Sequence, residues 1–187
     1  MARTRRALRE ALVELAMEKG YEKISIKNLT ERADIGYATF FRHYKSKDEL
    51  LTHYLRAILL DIEQELSPEM THYDAALLMF DIFEKHRDAC LIGLSLPRDH
   101  PAMKPIWEAA ARLVTARYEA RDETAIPLDV SVNHLVHSFV EMVRWWVTEG
   151  QAYKLEQMAF MMSELVIKMT EIAALERRSK ILSLDPD

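Results

Sequence analysis

Apolar residues recur every three or four positions along most of this chain, the repeat of helices with one face turned inward. Leu8, Ala11, Leu12, Leu15 and Ala16 mark a first helix over 4–19, with Arg6, Arg9, Glu10 and Glu14 on its other faces. Gly20 is a natural stop, because glycine enters the left-handed conformation that ends many helices. Ser25 can cap a second helix over 26–33, directed inward by Ile26, Leu29 and Ala33. Asp34, Ile35 and Gly36 read as a three-residue turn, and a short third helix follows over 37–44. Ser46 and Glu49 have the spacing of a capping box and open a fourth helix. It continues through Leu50, Leu51, Tyr54, Leu55 and Ile58 to about Leu66, where Ser67 and Pro68 stop it. With no Gly or Pro inside, it predicts a stiff connector rather than a flexible linker. Movement at its far end would then be carried to the start of the chain.

Five more helices are predicted, over 73–88, 90–96, 102–121, 130–149 and 155–177. Pro97, Pro101 and Pro105, then Ile126 with Pro127, then Gly150 supply the breaks. No stretch alternates as a strand would, and the tail from Ser179 to Asp187 is expected to fray. The fold class is therefore all-α, with about nine helices.

Composition sharpens this picture in three ways. Only 4 Gly and 6 Pro leave little material for the tight turns of an all-β fold, and 10 Met favour helix. The single cysteine, Cys90, excludes an intrachain disulfide and suits a reducing cytoplasm, where the chain is expected to work. The basic stretch Met1 to Arg9 runs straight into an amphipathic helix, so no cleaved leader is expected. No membrane span is expected either, since Glu141 and Arg144 interrupt the apolar run around Phe139 and Val140. The net charge of −5 hides an asymmetry. Residues 1–56 hold twelve Lys/Arg against eight Asp/Glu, a balance of +4, while 57–187 carry −9. A basic front on an acidic body directs one end toward phosphate.

Two short helices joined by a three-residue turn, the second ending in aromatics, have the helix-turn-helix form of sequence-specific DNA readers. Gly20-Tyr21, Leu29-Thr30-Glu31-Arg32-Ala33, Thr39 to Tyr44 and Lys45 to Leu51 give this stretch a closer likeness. Residues 5–51 resemble the amino-terminal domain of the tetracycline-repressor (TetR) family, over about a quarter of the chain. The resemblance implies a three-helix DNA-binding domain over 1–47. It also implies a domain over 48–187 that holds the connector helix, a ligand pocket and the dimer contacts. It further implies a homodimer on palindromic double-stranded DNA, with the third helix in the major groove. Tyr37 and Ala38 would face base edges, and Lys27 could reach a guanine, whose O6 and N7 both accept. Thr39, His43 and Lys47 match positions that hold phosphate, Lys47 in the first turn of a helix.

Two positions depart from the family pattern. Gly36 stands where Ser or Thr is frequent and removes a side-chain cap, at a cost of about a few tenths of a kcal/mol. Phe41 stands where Tyr is common and cannot donate to phosphate; Tyr37 or Arg42 can compensate. Phe40 and Tyr44 read as core anchors. Arg3, Arg5 and Arg6 form either a DNA-contacting arm or a solvated face.

Beyond Tyr73 the apolar faces are wider than a surface helix needs. Met79, Phe80, Phe83 and His86, then Met103, Trp107, Val114 and Tyr118, then His137 and Met142, are candidates for an effector pocket. Arg117 and Arg121 lie close by in sequence. The same stripes would build a filled core, and the pocket itself is implied by the resemblance. Val132, Leu135, Val136, Phe139, Val140, Val143, Trp146 and Val147 form one stripe of the 130–149 helix. A second runs from Leu155 to Ala173, and apolar residues off both stripes (Trp145, Met161, Ile167) suggest burial on two sides, against the core and against a twin pair.

Other chemistry is sparse. His134, His137 and Glu141 share a helix face and could in principle meet a metal, but Arg144 offers Glu141 a simpler ion pair. No phosphate loop or serine elbow is present, so neither a cofactor nor an enzymatic activity is expected. The leading expectation is a repressor released from a palindromic operator by a small apolar or aromatic effector. A DNA-binding protein governed by a protein partner, or acting architecturally, is the first alternative. A metal-dependent helical enzyme is the second.

Overall fold

The computed structural model describes residues 2–121, 124–149 and 152–178. The tail expected to fray and the break expected at Gly150 lie outside the described residues. Ten α-helical segments are present: α1 (Ala2–Lys19), α2 (Ile26–Arg32), α3 (Tyr37–Phe41), α4 (Lys47–Glu65), α5 (His72–Lys85), α6 (Arg87–Ser95), α7 (Lys104–Arg117), α8 (Leu128–Thr148), α9 (Leu155–Met162) and α10 (Lys168–Ala174). A π-helical stretch, Ser163–Ile167, joins α9 to α10 without a break, so these form one rod and the described chain has nine helices.

Several boundaries depart from the pattern. The third helix ends at Phe41 rather than at 44, because the Tyr44 and His43 amides both turn back to the Phe40 carbonyl. The segment expected to run over 73–88 divides at His86, and α6 starts at Arg87. The helices expected over 102–121 and 155–177 both stop short. Their last residues form strands β1 (Tyr118–Ala120) and β2 (Leu175–Arg177), paired antiparallel with Tyr118 opposite Arg177. Three residues are too few to show alternation, so this pairing of two helix ends, far apart in sequence, leaves no periodic trace.

The chain forms two compact units. They do not divide at the 47/48 boundary expected for function: one comprises Met1–Ile58 with His86–Ile106, the other Leu59–Lys85 with Trp107–Asp187. The first unit, the head, closes on Leu8, Leu12, Leu29, Phe40, Leu50 and Leu51, none of them exposed. α6 crosses close to α4 through Gly93, where a Cβ would lie 3.2 Å from Leu55 Cδ1 and 3.4 Å from Met103. Beyond α6, Thr52 Oγ1 donates to the Ala102 carbonyl at 2.9 Å, holding this segment to α4.

The second unit is built around Phe80, whose ring meets Phe139 at 5.3 Å and Trp146 at 5.5 Å. Ile82, Val143, Met158, Met162 and Leu175 are buried in the same unit. Trp146 Nε1 donates to the Tyr153 carbonyl at 2.9 Å, so even this indole N–H is paired. Among the described residues no helix is long and apolar enough to cross a membrane.

Candidate nucleic-acid interface

The helix-turn-helix is held by polar contacts at its joints. Ser25 Oγ accepts from the Asn28 amide at 3.2 Å, and Asn28 Oδ1 accepts from the Ser25 amide at 3.1 Å, a reciprocal cap for α2. Arg32 forks onto Glu18 with two bonds of 2.8 Å and onto Glu14 at 3.0 Å, tying α2 to α1. The turn bends at Asp34, with φ of +50°, a left-handed conformation that aspartate tolerates better than most residues. Gly36 has an extended φ of −70° and serves as an N-cap without a side-chain bond.

On α3 the short helix separates its aromatics sharply. Phe40 is fully buried and Tyr44 is 3% exposed, which makes both anchors. Tyr37 is 57% exposed and Phe41 47%, and their rings meet edge to face at 5.1 Å. Ala38 and Arg42 are also exposed, and Arg42 Nη2 donates to Thr39 Oγ1 at 2.8 Å. His43 is half-buried. Lys27 extends from α2, its side chain 78% exposed and 3.8 Å from Glu31. Lys27, Tyr37, Ala38, Phe41 and Arg42 are thus all exposed and free of core duty.

Lys47 is differently placed. Its ammonium donates to the carbonyls of Tyr21 at 3.0 Å and Glu22 at 3.1 Å, and lies 4.5 Å from the Tyr21 ring centre. Tyr21 in turn donates its hydroxyl to Asp48 Oδ1 at 2.5 Å. Burial first, then that bond to Asp48, pushes the Tyr21 phenol far above its ordinary range. The start of α4 is therefore locked to the turn after α1, with the Lys47 side chain largely enclosed. At the cap of α4, Ser46 Oγ accepts from the Glu49 amide at 3.1 Å as the box predicts, while the Glu49 carboxylate takes the Lys45 amide instead.

The pattern along the chain missed a basic groove on the head. Arg5, Arg6, Arg9, Glu10, Val13, Glu14, Tyr54 and His86 line a space of about 650 Å³. Arg3, Arg5 and Arg6 belong to α1 and so are helical. Arg9 lies 4.8 Å from the Tyr54 ring centre and its Nη2 meets His53 Nδ1 at 3.2 Å. The i, i+1, i+4 spacing of Arg5, Arg6 and Arg9 was the available signal; the opposing Tyr54 and His86 come from distant chain.

The residues expected to line an effector pocket fall into both units. In the second, Trp107 stacks on His137 at 4.7 Å, and Phe80 and Phe83 both pack on Trp146. Met79, Val114 and Met142 are half-buried there, and Tyr118 is buried in β1. His86 and Met103 instead belong to the head, where His86 meets Tyr54 and Met103 lies against Gly93. Among the described residues no group of three His, Cys, Asp or Glu is placed to hold a metal. His134 faces Ser138, His137 is taken by the Trp107 stack, and Glu141 pairs with Arg144 at 3.3 Å.

Comparison with known proteins matches this architecture. Residues 8–54 match the family described as bacterial regulatory proteins of the tetR family, and residues 71–168 match the transcriptional regulator C-terminal region. Two proteins of Bacillus subtilis (strain 168), both uncharacterized HTH-type transcriptional regulators, are similar in sequence. YvkB is 28% identical over 52% of this chain and 54% of its own length, and YxbF is 35% identical over 36% and 18% respectively. The chain thus spans about half or less of the curated relatives it matches.

Solved structures share the fold more fully. A putative TetR-family regulator from Syntrophomonas wolfei superposes with a TM-score of 0.72 at 15% identity, covering 89% of this chain and 94% of that one. A TetR regulator from Streptococcus agalactiae gives 0.65 at 24% identity, covering 87% and 93%. FadR from Bacillus subtilis, solved in complex with stearoyl-CoA, gives 0.64 at 14% identity, covering 86% and 96%. With one family match on the helix-turn-helix and a second across the C-terminal helices, the chain belongs to the TetR family of bacterial transcriptional regulators.

Proposed function

We propose that this regulator is a homodimeric, ligand-responsive repressor that works in the cytoplasm on a palindromic operator. The observation that carries the reading is the exposed edge-to-face pair of Tyr37 and Phe41 on a helix anchored by the buried Phe40. Large aromatics gain nothing for folding by standing in water, and on a recognition helix they meet base edges and thymine methyls. In this reading Gly36 lets the chain approach DNA closely, and Tyr37, Ala38 and Lys27 read bases. Thr39, Phe41, Arg42, His43 and Lys47 set the register, Lys47 through its backbone amide at the α4 terminus.

The dimer is supported by a second apolar face. Phe160, Leu165, Met169 and Ile172 stand 50–67% exposed along the α9–α10 rod, and Trp145 is 40% exposed on α8. Closure of two such faces about a two-fold axis sets two heads at palindrome spacing. Residues 1–47 supply DNA contact, and 48–187 supply the connector, the effector pocket and the dimer contacts. An effector can release DNA only by binding the DNA-incompetent state more tightly. That FadR of Bacillus subtilis was solved with stearoyl-CoA supports an effector with an apolar chain on this fold.

Selection of genomic fragments with purified protein tests the reading. Recovery of one palindrome, bound by a dimer and weakened at least about tenfold by Lys27→Ala or Tyr37→Ala, is the expected result. Binding without sequence preference would overturn it.

A further inference from the structure

At the end of α7, Arg117 is 7% exposed; the neighbouring Tyr118 hydroxyl interacts with its guanidinium, but among the described residues no acceptor makes a hydrogen bond of good geometry with its Nη1 or Nη2. The cations around it are differently served. Arg177 donates to Glu171 and to the Met70 carbonyl, and Arg178 donates to Glu119 and to the Thr115 carbonyl. Arg121 donates to the Ile172 carbonyl. The acids are equally committed, since Glu171 also pairs with His72 and Glu119 is held by Arg178. Arg117 is thus a buried cation whose outer nitrogens reach neither acid.

A guanidinium does not discharge inside a protein, and a buried charge with unmade bonds is strongly disfavoured. Its two outer nitrogens present the fork that a planar carboxylate fills with two parallel bonds. We propose that Arg117 receives the carboxylate of the effector, which is an amphipathic monocarboxylic acid. One committed cation matches one negative charge. A phosphate dianion would need a second free cation, and the neighbouring arginines are already engaged. The apolar body follows from the same helix. Ala110, Leu113 and Val114 precede Arg117 by seven, four and three positions, which places them on its face of α7, and all three are half-buried.

The proposal rests on the ligand-responsive reading above, and its test separates the two. The full-length protein is heated with matched acids and alcohols, decanoate against decanol and phenylacetate against phenethyl alcohol. Operator release by each compound is measured in parallel. At least one acid is expected to raise the melting temperature and to bind about tenfold or more tighter than its alcohol, as for a site built to bond a polar group. Arg117→Met is expected to erase that preference while melting no lower than the unaltered protein without ligand, since it removes an unpartnered charge. Arg117→Lys should keep part of the preference.

If acids and alcohols bind alike, or if no acid binds, the carboxylate proposal falls. Operator release by an alcohol would then leave the effector reading standing. An acid preference that survives Arg117→Met overturns the assignment to this residue. The acid-against-alcohol comparison needs no variant to fold.

Discussion

The head and the second unit use aromatic rings for opposite ends. In the head, adjacent residues divide the work, with Phe40 buried completely and Phe41 left 47% exposed beside Tyr37. In the second unit, Phe80, Phe83 and Trp146 close on one another and are all buried. Residue type therefore does not distinguish a contact from an anchor here; enclosure does. A five-residue helix can bury one aromatic, and what remains outside is available to a partner. The 21-residue α8 and the α9–α10 rod have enough surface to enclose a cluster and still leave a second apolar face uncovered.

The sharpest way to break the comparison is to truncate one ring of each kind. Phe80→Ala should cost about 3–5 kcal/mol, because a fully enclosed ring leaves a cavity lined by Phe139 and Trp146. Phe41→Ala should cost less than about 1 kcal/mol in the same denaturant titration yet weaken operator binding. Equal losses of stability would mean that Phe41 is an anchor and that the division on α3 is wrong.

A smaller effect is expected on the terminal rod. Met162 is 1% exposed and Leu165, three residues on, is 67% exposed. Leu165→Glu should leave each protomer folded while shifting sedimentation from dimer to monomer. A charge buried at Met162 should instead unfold the second unit. A dimer that persists through both Leu165→Glu and Met169→Glu would remove this face as the contact. Weaker still is the cap of α2. Ser25→Ala should lower stability by about 1 kcal/mol through the bond from the Asn28 amide, with little change in the second unit's melting.

The two units were unequally legible. The head carries its joints as short local signals: Ser25 before α2, Ser46 before α4, and aromatics one turn apart on α3. Local spacing is what a chain displays, and the first four helices follow it closely, save that the third stops at Phe41. Even there, the groove of Arg5, Arg6 and Arg9 against Tyr54 and His86 stayed hidden, because its second wall comes from other helices. In the second unit the stripes predicted helices but not their neighbours. His86 and Met103 looked like partners of Trp107, yet both pack within the head. Strands β1 and β2 form because the ends of two helices meet, and nothing in either triplet announces the other. The isolation of the Arg117 outer nitrogens became visible only once the partners of Glu171 and Glu119 were known.

The smallest expected effect is a pH dependence in the head. Arg9 has only donors, so its 3.2 Å contact requires His53 Nδ1 to accept, which places the ring proton on Nε2. Protonating Nδ1 would turn that acceptor into a donor facing a cation. Burial first, then Arg9 and Arg5, hold the His53 pKa below the ordinary imidazole value; Glu49 opposes this, and Arg56 adds to it. In the interval between the lowered folded value and the ordinary unfolded one, the unfolded chain binds more protons. Stability therefore rises with pH through that interval and is lost as pH falls through it. His53→Leu removes the titrating group and should flatten this slope in the head. The Tyr44 ring, 5.6 Å from His53, should keep its packing. Denaturant midpoints measured for both proteins across the histidine range decide the matter, because a slope unchanged in His53→Leu would mean that another group in the chain sets it.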